Sequence, residues 1–226
     1  MELAATTPNY TLPEAAMFTR LSLSKIRYWT RGRGGTPPVI RTGSLLSLMN
    51  LVEVHMVSMF RGMHGVPLQR IRRAIGEMAA RFPKERHPLA TRKFWTDGLD
   101  IFTKQVDGNY VSLIEPGQMA FSEIFECYSE RVVWSGGLPA QLFPWTVNKF
   151  TESSADNRRR SVVIDPDVAF GRSVITGTRV TTKAIKDLWD VGIAIGEIAK
   201  EFDVTQIQVQ DAVRLEEARP ILRQAG

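Results

Sequence analysis

Residues 161–180 read SVVIDPDVAFGRSVITGTRV: short β-branched apolar pieces set between turn residues, ahead of a segment with helical spacing. Carboxylates, glycines and arginines this close together raise the question of a phosphate or metal site. Asp165 and Asp167 stand two apart around Pro166, a spacing suited to a turn in which an Asp side chain accepts from nearby amides. No third ligand or nucleophile lies near them in the sequence, so paired catalytic carboxylates or a metal site are not indicated. Gly171 and Gly177 supply the backbone freedom for tight turns between VAF, SVI and RV. The stretch therefore reads as a small β element that supports the helices after it. Arg172 and Arg179 are left over. An arginine fork on such a scaffold suits docking to carboxylates, either those of a partner protein or those of its own module.

Three helix signals follow. Ile185, Leu188 and Trp189 mark the first, ended by Gly192, and Ile195, Ile198, Ala199 and Phe202 mark the second. Thr205 with Gln208 three residues later is a capping box that opens the third, along which Val209, Ala212, Val213 and Glu216 recur. Residues 161–226 are thus a small module of β structure plus three helices, with a helix-turn-helix-like pair inside it. Before it, TESSADNRRR (151–160) is polar and aperiodic and reads as a linker. Residues 94–150 form a middle region of different character. KQVDGNYVSL looks like a hairpin with Asp107 and Gly108 in its loop, SEIFECYSERVVW like a helix, and GGLPAQLFPWTV like irregular or extended chain.

At the other end, TLPE places Thr11 as a cap and Glu14 three residues on, with Pro13 tolerated in the first turn. Ser22 then caps a second short helix in which Ile26 with Trp29 or Thr30 points inward. Ser24, Lys25, Arg27, Tyr28 and Arg31 are left mostly outward. Two short helices joined by a tight turn, the second rich in Arg, Lys, Ser and Tyr, match a helix-turn-helix over about residues 10–41. RGRGGTPPVIRTG, which carries Arg33, is a turn or short wing. Its GRGG lacks the dinucleotide spacing and follows no strand. From Ser44 a helix is predicted, with Leu45, Leu48, Met49, Val52, Met56, Met59 and Phe60 as its stripe, broken by Gly62 and Gly65; another begins near Pro67.

The charge is uneven. The whole chain of 226 residues carries a formal +5, yet residues 1–93 hold 15 Lys and Arg against 5 Asp and Glu. Residues 94–157 hold 3 against 9. A basic first part ahead of an acidic middle points to polyanion binding by the first part. No stretch approaches the roughly 18 apolar residues of a membrane span, and the N-terminus has no secretory pattern, so a cytoplasmic, membrane-free protein is expected. The lone Cys127 reads as a small buried hydrophobe. His55, His64 and His87 have no Cys or acidic partner at metal spacing. No catalytic group, metal or cofactor is indicated, and an enzyme is not expected.

Two resemblances attach to these residues. The pattern from VIDP through GRSVITGTRV to GEIA, over roughly residues 162–215, resembles a small bacterial family long catalogued as a domain of unknown function. Ser173 and Thr181 replace prolines usual in that family, departures that touch strand detail. Members are commonly VapB-type antitoxins encoded beside a PIN-like ribonuclease toxin. YTLPEAAMFTRLSLSKIRYWTRGR resembles the MerR-type helix-turn-helix, with KIRYW at the position of that family's characteristic element, although the effector-binding region of MerR proteins is not recognisable.

Together they imply a mainly α chain with a β-hairpin element, an α+β protein, divided as 1–93, 94–150, 151–160 and 161–226. The implied function is that of a type II antitoxin, a repressor that binds its own operator DNA and neutralises the toxin directly. Ser24, Lys25, Arg27, Tyr28, Arg31 and Arg33 are the candidate DNA contacts. The resemblance implies a toxin whose site holds magnesium on carboxylates, which makes Arg172 and Arg179 candidate toxin contacts. Alternatively Glu123, Glu126 or Glu130 of the acidic middle meets a basic face of the toxin. A homodimer is expected, because one small helix-turn-helix buries little surface and bacterial operators are commonly two-fold. The other function open to the sequence is a free-standing MerR-like regulator without a toxin.

Overall fold

The computed structural model describes residues 2–64, 66–91, 130–146 and 159–220. Within them α1 spans Glu2–Thr6, α2 Leu12–Thr19, α3 Leu23–Arg31, α4 Leu48–His64 and α5 Leu68–Arg81, followed by a 3₁₀ turn at Pro88–Ala90. Strands β1 (Val132–Ser135), β2 (Leu138–Leu142), β3 (Val162–Ile164) and β4 (Ser173–Ile175) precede α6 (Thr182–Asp190), α7 (Ile195–Glu201) and α8 (Gln206–Glu217). The protein is mainly helical with a small sheet, the α+β class expected.

Helix α4 is the axis of the fold. Every residue from 48 to 60 is buried, polar Asn50, Glu53, His55 and Ser58 included. A helix buried all round needs neighbours on every side. Here α1, α2, β2 and the Pro88–Ala90 turn supply them. The helix begins at Leu48 rather than at the expected Ser44. Leu46 instead pairs with Tyr10, with Tyr10 donating to the Leu46 carbonyl at 2.9 Å and Leu46 to the Tyr10 carbonyl at 2.7 Å. Those extended pairs take the backbone that a longer helix would use.

The four strands form one antiparallel sheet in the order β1-β2-β3-β4. The stretch around Val132 to Trp134, expected as the end of a helix, is instead β1, paired with β2 across Gly136 and Gly137. Two adjacent valines and a tryptophan suit a pleated surface as well as a helix, and the pairing decides. Leu142 faces Ile164, so the middle region and the last module share this sheet. The expected hairpin around Asp107 and Gly108, Cys127, Glu123 and Glu126 lie outside the described residues.

Buried apolar side chains from Tyr10, Met17, Ile26 and Trp29, through α4, to Ile164, Ile175, Ile185, Val209 and Leu215 form one contiguous cluster. The C-terminal helices therefore pack back towards the N-terminal pair. Arg20 at the C-cap of α2 donates to the Trp145 carbonyl at 3.0 Å and to the Arg214 carbonyl at 2.9 Å.

Candidate functional site

The N-terminal helix pair is built by local chemistry. The Glu14 amide donates to Thr11 Oγ1 and the Thr11 amide to Glu14 Oε2 at 2.9 Å, closing the capping box of α2. Arg20 turns into the left-handed region at φ 54°, and Ser22 Oγ accepts from the Lys25 amide to start α3. Ile26, Trp29 and Thr30 are buried, which anchors α3 and aims its other face outward. Ser24, Lys25, Arg27 and Arg31 are exposed. Ser24, Arg27 and Arg31 recur at helical spacing along one face, and α3 carries no acidic residue.

Beyond the C-cap Gly32, Arg33 and Thr36 exchange backbone hydrogen bonds of 3.1 and 3.0 Å around Gly34 and Gly35, at φ 56° and 77°. Two consecutive left-handed residues make a tight hairpin turn of the primed type. Exposed Arg33 thus stands on a two-residue wing tip next to α3. Tyr28 is only half exposed. The Arg72 guanidinium lies 5.1 Å from its ring centroid, and Arg72 Nε donates to the Pro37 carbonyl at 3.2 Å. Arg72 of α5 therefore ties α3 to the segment after the Gly34 and Gly35 turn, a link 35 residues away that sequence spacing could not reveal.

In the C-terminal module the turn reading of Asp165 holds. Its Oδ1 accepts from the Asp167 amide at 2.9 Å and its Oδ2 from Gln141 Nε2 at 2.8 Å. Among the described residues no group of three or more His, Cys, Asp or Glu could hold a metal ion. Both departures from the family pattern are used here. Ser173 Oγ lies 2.6 Å from Thr182 Oγ1, and Thr181 caps α6 by accepting from the Ala184 amide at 3.2 Å. Thr182 Oγ1 donates in turn to buried Glu216 at 2.6 Å.

A cleft of about 490 Å³ lies beside this network, lined by Tyr10, Phe170, Arg172, Thr181, Lys183 and Arg219 among others. Arg172 is exposed in it; Arg179, exposed on the turn after β4, does not line it. Neither side chain has a hydrogen-bond or ion-pair partner among the described residues. The two candidate toxin contacts are therefore free to pair with a partner but do not share a cleft.

Sequence reading passed over Glu53. It is buried on α4, accepts from the Leu89 amide, and its Oε2 lies 3.0 Å from His87 Nδ1 and 3.4 Å from Asn50 Nδ2. Burial pushes its carboxyl above the ordinary value, an effect the His87, Asn50 and Leu89 hydrogen bonds oppose. The acidic partner of His87 is 34 residues away, out of reach of any local motif.

Residues 162–214 match the family described as "Protein of unknown function (DUF433)". The chain is 25% identical over 240 residues, 94% of its own length and 95% of the relative's, to "Putative antitoxin VapB45" of Mycobacterium tuberculosis. The fold is also similar to the X-ray crystal structure of Rv2018 from Mycobacterium tuberculosis, with a TM-score of 0.66 at 22% identity, over 92% of this chain and 98% of that one. The family segment coincides with β3, β4 and α6 to α8 and ends within α8. Among the described residues no helix is long and apolar enough to cross a membrane.

Proposed function

We propose that this protein is the antitoxin of a type II toxin-antitoxin pair, a cytoplasmic repressor rather than an enzyme. It binds its operator as a homodimer through α3 and the Arg33 wing, and neutralises a PIN-like ribonuclease by direct contact through the C-terminal module. Similarity along nearly the whole chain to the relative named "Putative antitoxin VapB45" is the observation that carries the reading. The α3 face supports its DNA arm: Ser24, Lys25, Arg27 and Arg31 are exposed together, without an acidic neighbour on the helix, and Arg33 stands beside them. Cations at helical spacing on the second helix of such a pair can meet base edges and phosphates of the major groove, with the wing reaching the adjoining backbone. Arg172 and Arg179, exposed and without a side-chain partner among the described residues, support the toxin arm, since arginine pairs bidentately with the carboxylates of a metal-dependent nuclease.

Co-expression with the product of the adjacent reading frame tests the whole reading. Growth arrest by that product alone, relieved by this chain, with a complex that shifts the upstream promoter fragment, is the expected outcome. A harmless neighbour, or one that this chain neither binds nor silences, refutes it.

A further inference from the structure

Phe170 breaks a local rule, and its ring receives no packing in return. Its side chain is 87% exposed, the most exposed large hydrophobic among the described residues. Its backbone sits at φ 58°, between Ala169 at 48° and Gly171 at 75°. Three successive left-handed residues are costly, and a bulky aromatic is among the residues least suited to that region. An isolated exposed hydrophobe is ordinary on a protein surface. One held out by a strained backbone is not, because strain without a packing return marks functional positions.

The strain is over-determined by the surroundings. Asn9 Nδ2 donates to the Phe170 carbonyl at 2.7 Å, Gly171 to the Val168 carbonyl at 2.9 Å, and Arg172 to the Ala169 carbonyl at 3.2 Å. The ring is thus presented on a loop pinned on both sides, with little conformational freedom left to lose on binding. It borders the 490 Å³ cleft that Arg172 and Lys183 also line. Lys183 pairs with Asp187. Arg172 is exposed without a partner among the described residues.

We propose that Phe170 is the apolar anchor of a protein-docking surface, received by an apolar socket whose rim carries carboxylates that meet Arg172. Aromatic and arginine side chains side by side are the composition of interface hot spots, and the unpaired guanidinium sets the sign of the partner's rim. This inference rests on the proposed toxin partnership and takes that toxin as its occupant.

Titration of the adjacent-frame protein with the full chain and its Phe170→Gly and Phe170→Ala variants tests it. Loss of an anchor raises Kd about thirtyfold or more. Phe170→Gly should at the same time leave the urea midpoint unchanged or higher, since glycine accepts the left-handed backbone and no packing is lost. Promoter binding should stay intact. A midpoint that falls with the variant makes the ring structural and overturns the inference. Wild-type affinity in a stable variant overturns it while leaving the toxin partnership standing. No binding by the wild-type chain removes both. A dimer that becomes a monomer on Phe170→Gly, with toxin affinity unchanged, assigns the surface to a second copy and also overturns it.

Discussion

Gly171→Ala should loosen the seam between the N-terminal segment and the C-terminal module. At φ +75° an alanine pays the left-handed penalty of about 1–2 kcal/mol. Its Cβ would also stand 2.6 Å from Asn9 Nδ2 and 2.8 Å from the Tyr10 hydroxyl. Asn9 can swing aside, but only by giving up its 2.7 Å bond to the Phe170 carbonyl, a loss of roughly 0.5–1.5 kcal/mol. Tyr10 is 3% exposed and packs edge-on against Phe18 at 6.0 Å, so its ring cannot retreat cheaply. Forced contacts of this kind cost about 1–3 kcal/mol. The total is roughly 2.5–6.5 kcal/mol, a large part of the stability of an ordinary domain. Gly177→Ala is the control: it has a similar φ of +84° and nothing within 4 Å, so it carries the backbone penalty alone. Urea unfolding of both variants gives the difference directly, expected at about 2 kcal/mol or more against Gly171→Ala. Equal losses would show that no close approach exists at Gly171 and would refute the seam.

Other outcomes follow from the exposed cations and the buried carboxyl. Removal of residues 1–41 would strip Tyr10, Met17, Ile26 and Trp29 from the core, so point variants are the informative test of DNA binding. Arg27→Ala should lower the salt slope of promoter binding by about one if Arg27 meets a phosphate, or cost about 1–3 kcal/mol in specificity if it reads a base; anisotropy titrations across salt that match wild type in both respects would count against α3. Arg172→Ala and Arg179→Ala should each weaken the toxin complex without altering promoter binding, and toxin affinities unchanged for both would shift attention to the acidic middle and Glu130. Glu53 titrates near 4.5 in the unfolded chain and higher in the fold, so over that interval the folded state holds more protons. Its contribution is therefore full below 4.5 and is lost as pH rises through the folded value. Glu53→Gln should flatten that decline in urea midpoints, and an unchanged slope would assign it elsewhere.

Most local parts of this molecule were legible, the β1 to β2 hairpin excepted, and the non-local ones were not. Thr11 with Glu14, Ser22, and Thr205 with Gln208 announce α2, α3 and α8 because a cap bonds amides two or three residues away. The outward face of α3 was readable for the same reason: Ile26 and Trp29 set its phase within one helix. The start of α4 was misplaced, since the pairing that displaces it runs from Leu46 to Tyr10, 36 residues back along the chain. β1 was read as helix although its partner β2 follows at once across Gly136 and Gly137, a local hairpin signal that was passed over; only the β2 to β3 contact lies beyond a local window. Of the residues that mark α6, Ile185 is fully buried while Trp189 is 38% exposed, a difference set by what packs against the helix. The roles of Arg72, Glu53 and Phe170 depend on Pro37, His87 and Asn9, contacts that only the tertiary fold makes.

The most direct test of the central claim is titration of the purified ribonuclease from the adjacent reading frame with this chain while RNA cleavage is followed. An antitoxin that acts by direct contact gives a sharp stoichiometric end-point at which cleavage stops, and Phe170→Gly or Arg172→Ala shifts that end-point to a shallow, weaker curve. Cleavage that continues at full rate in the presence of excess folded chain, still able to bind its promoter, would contradict the account.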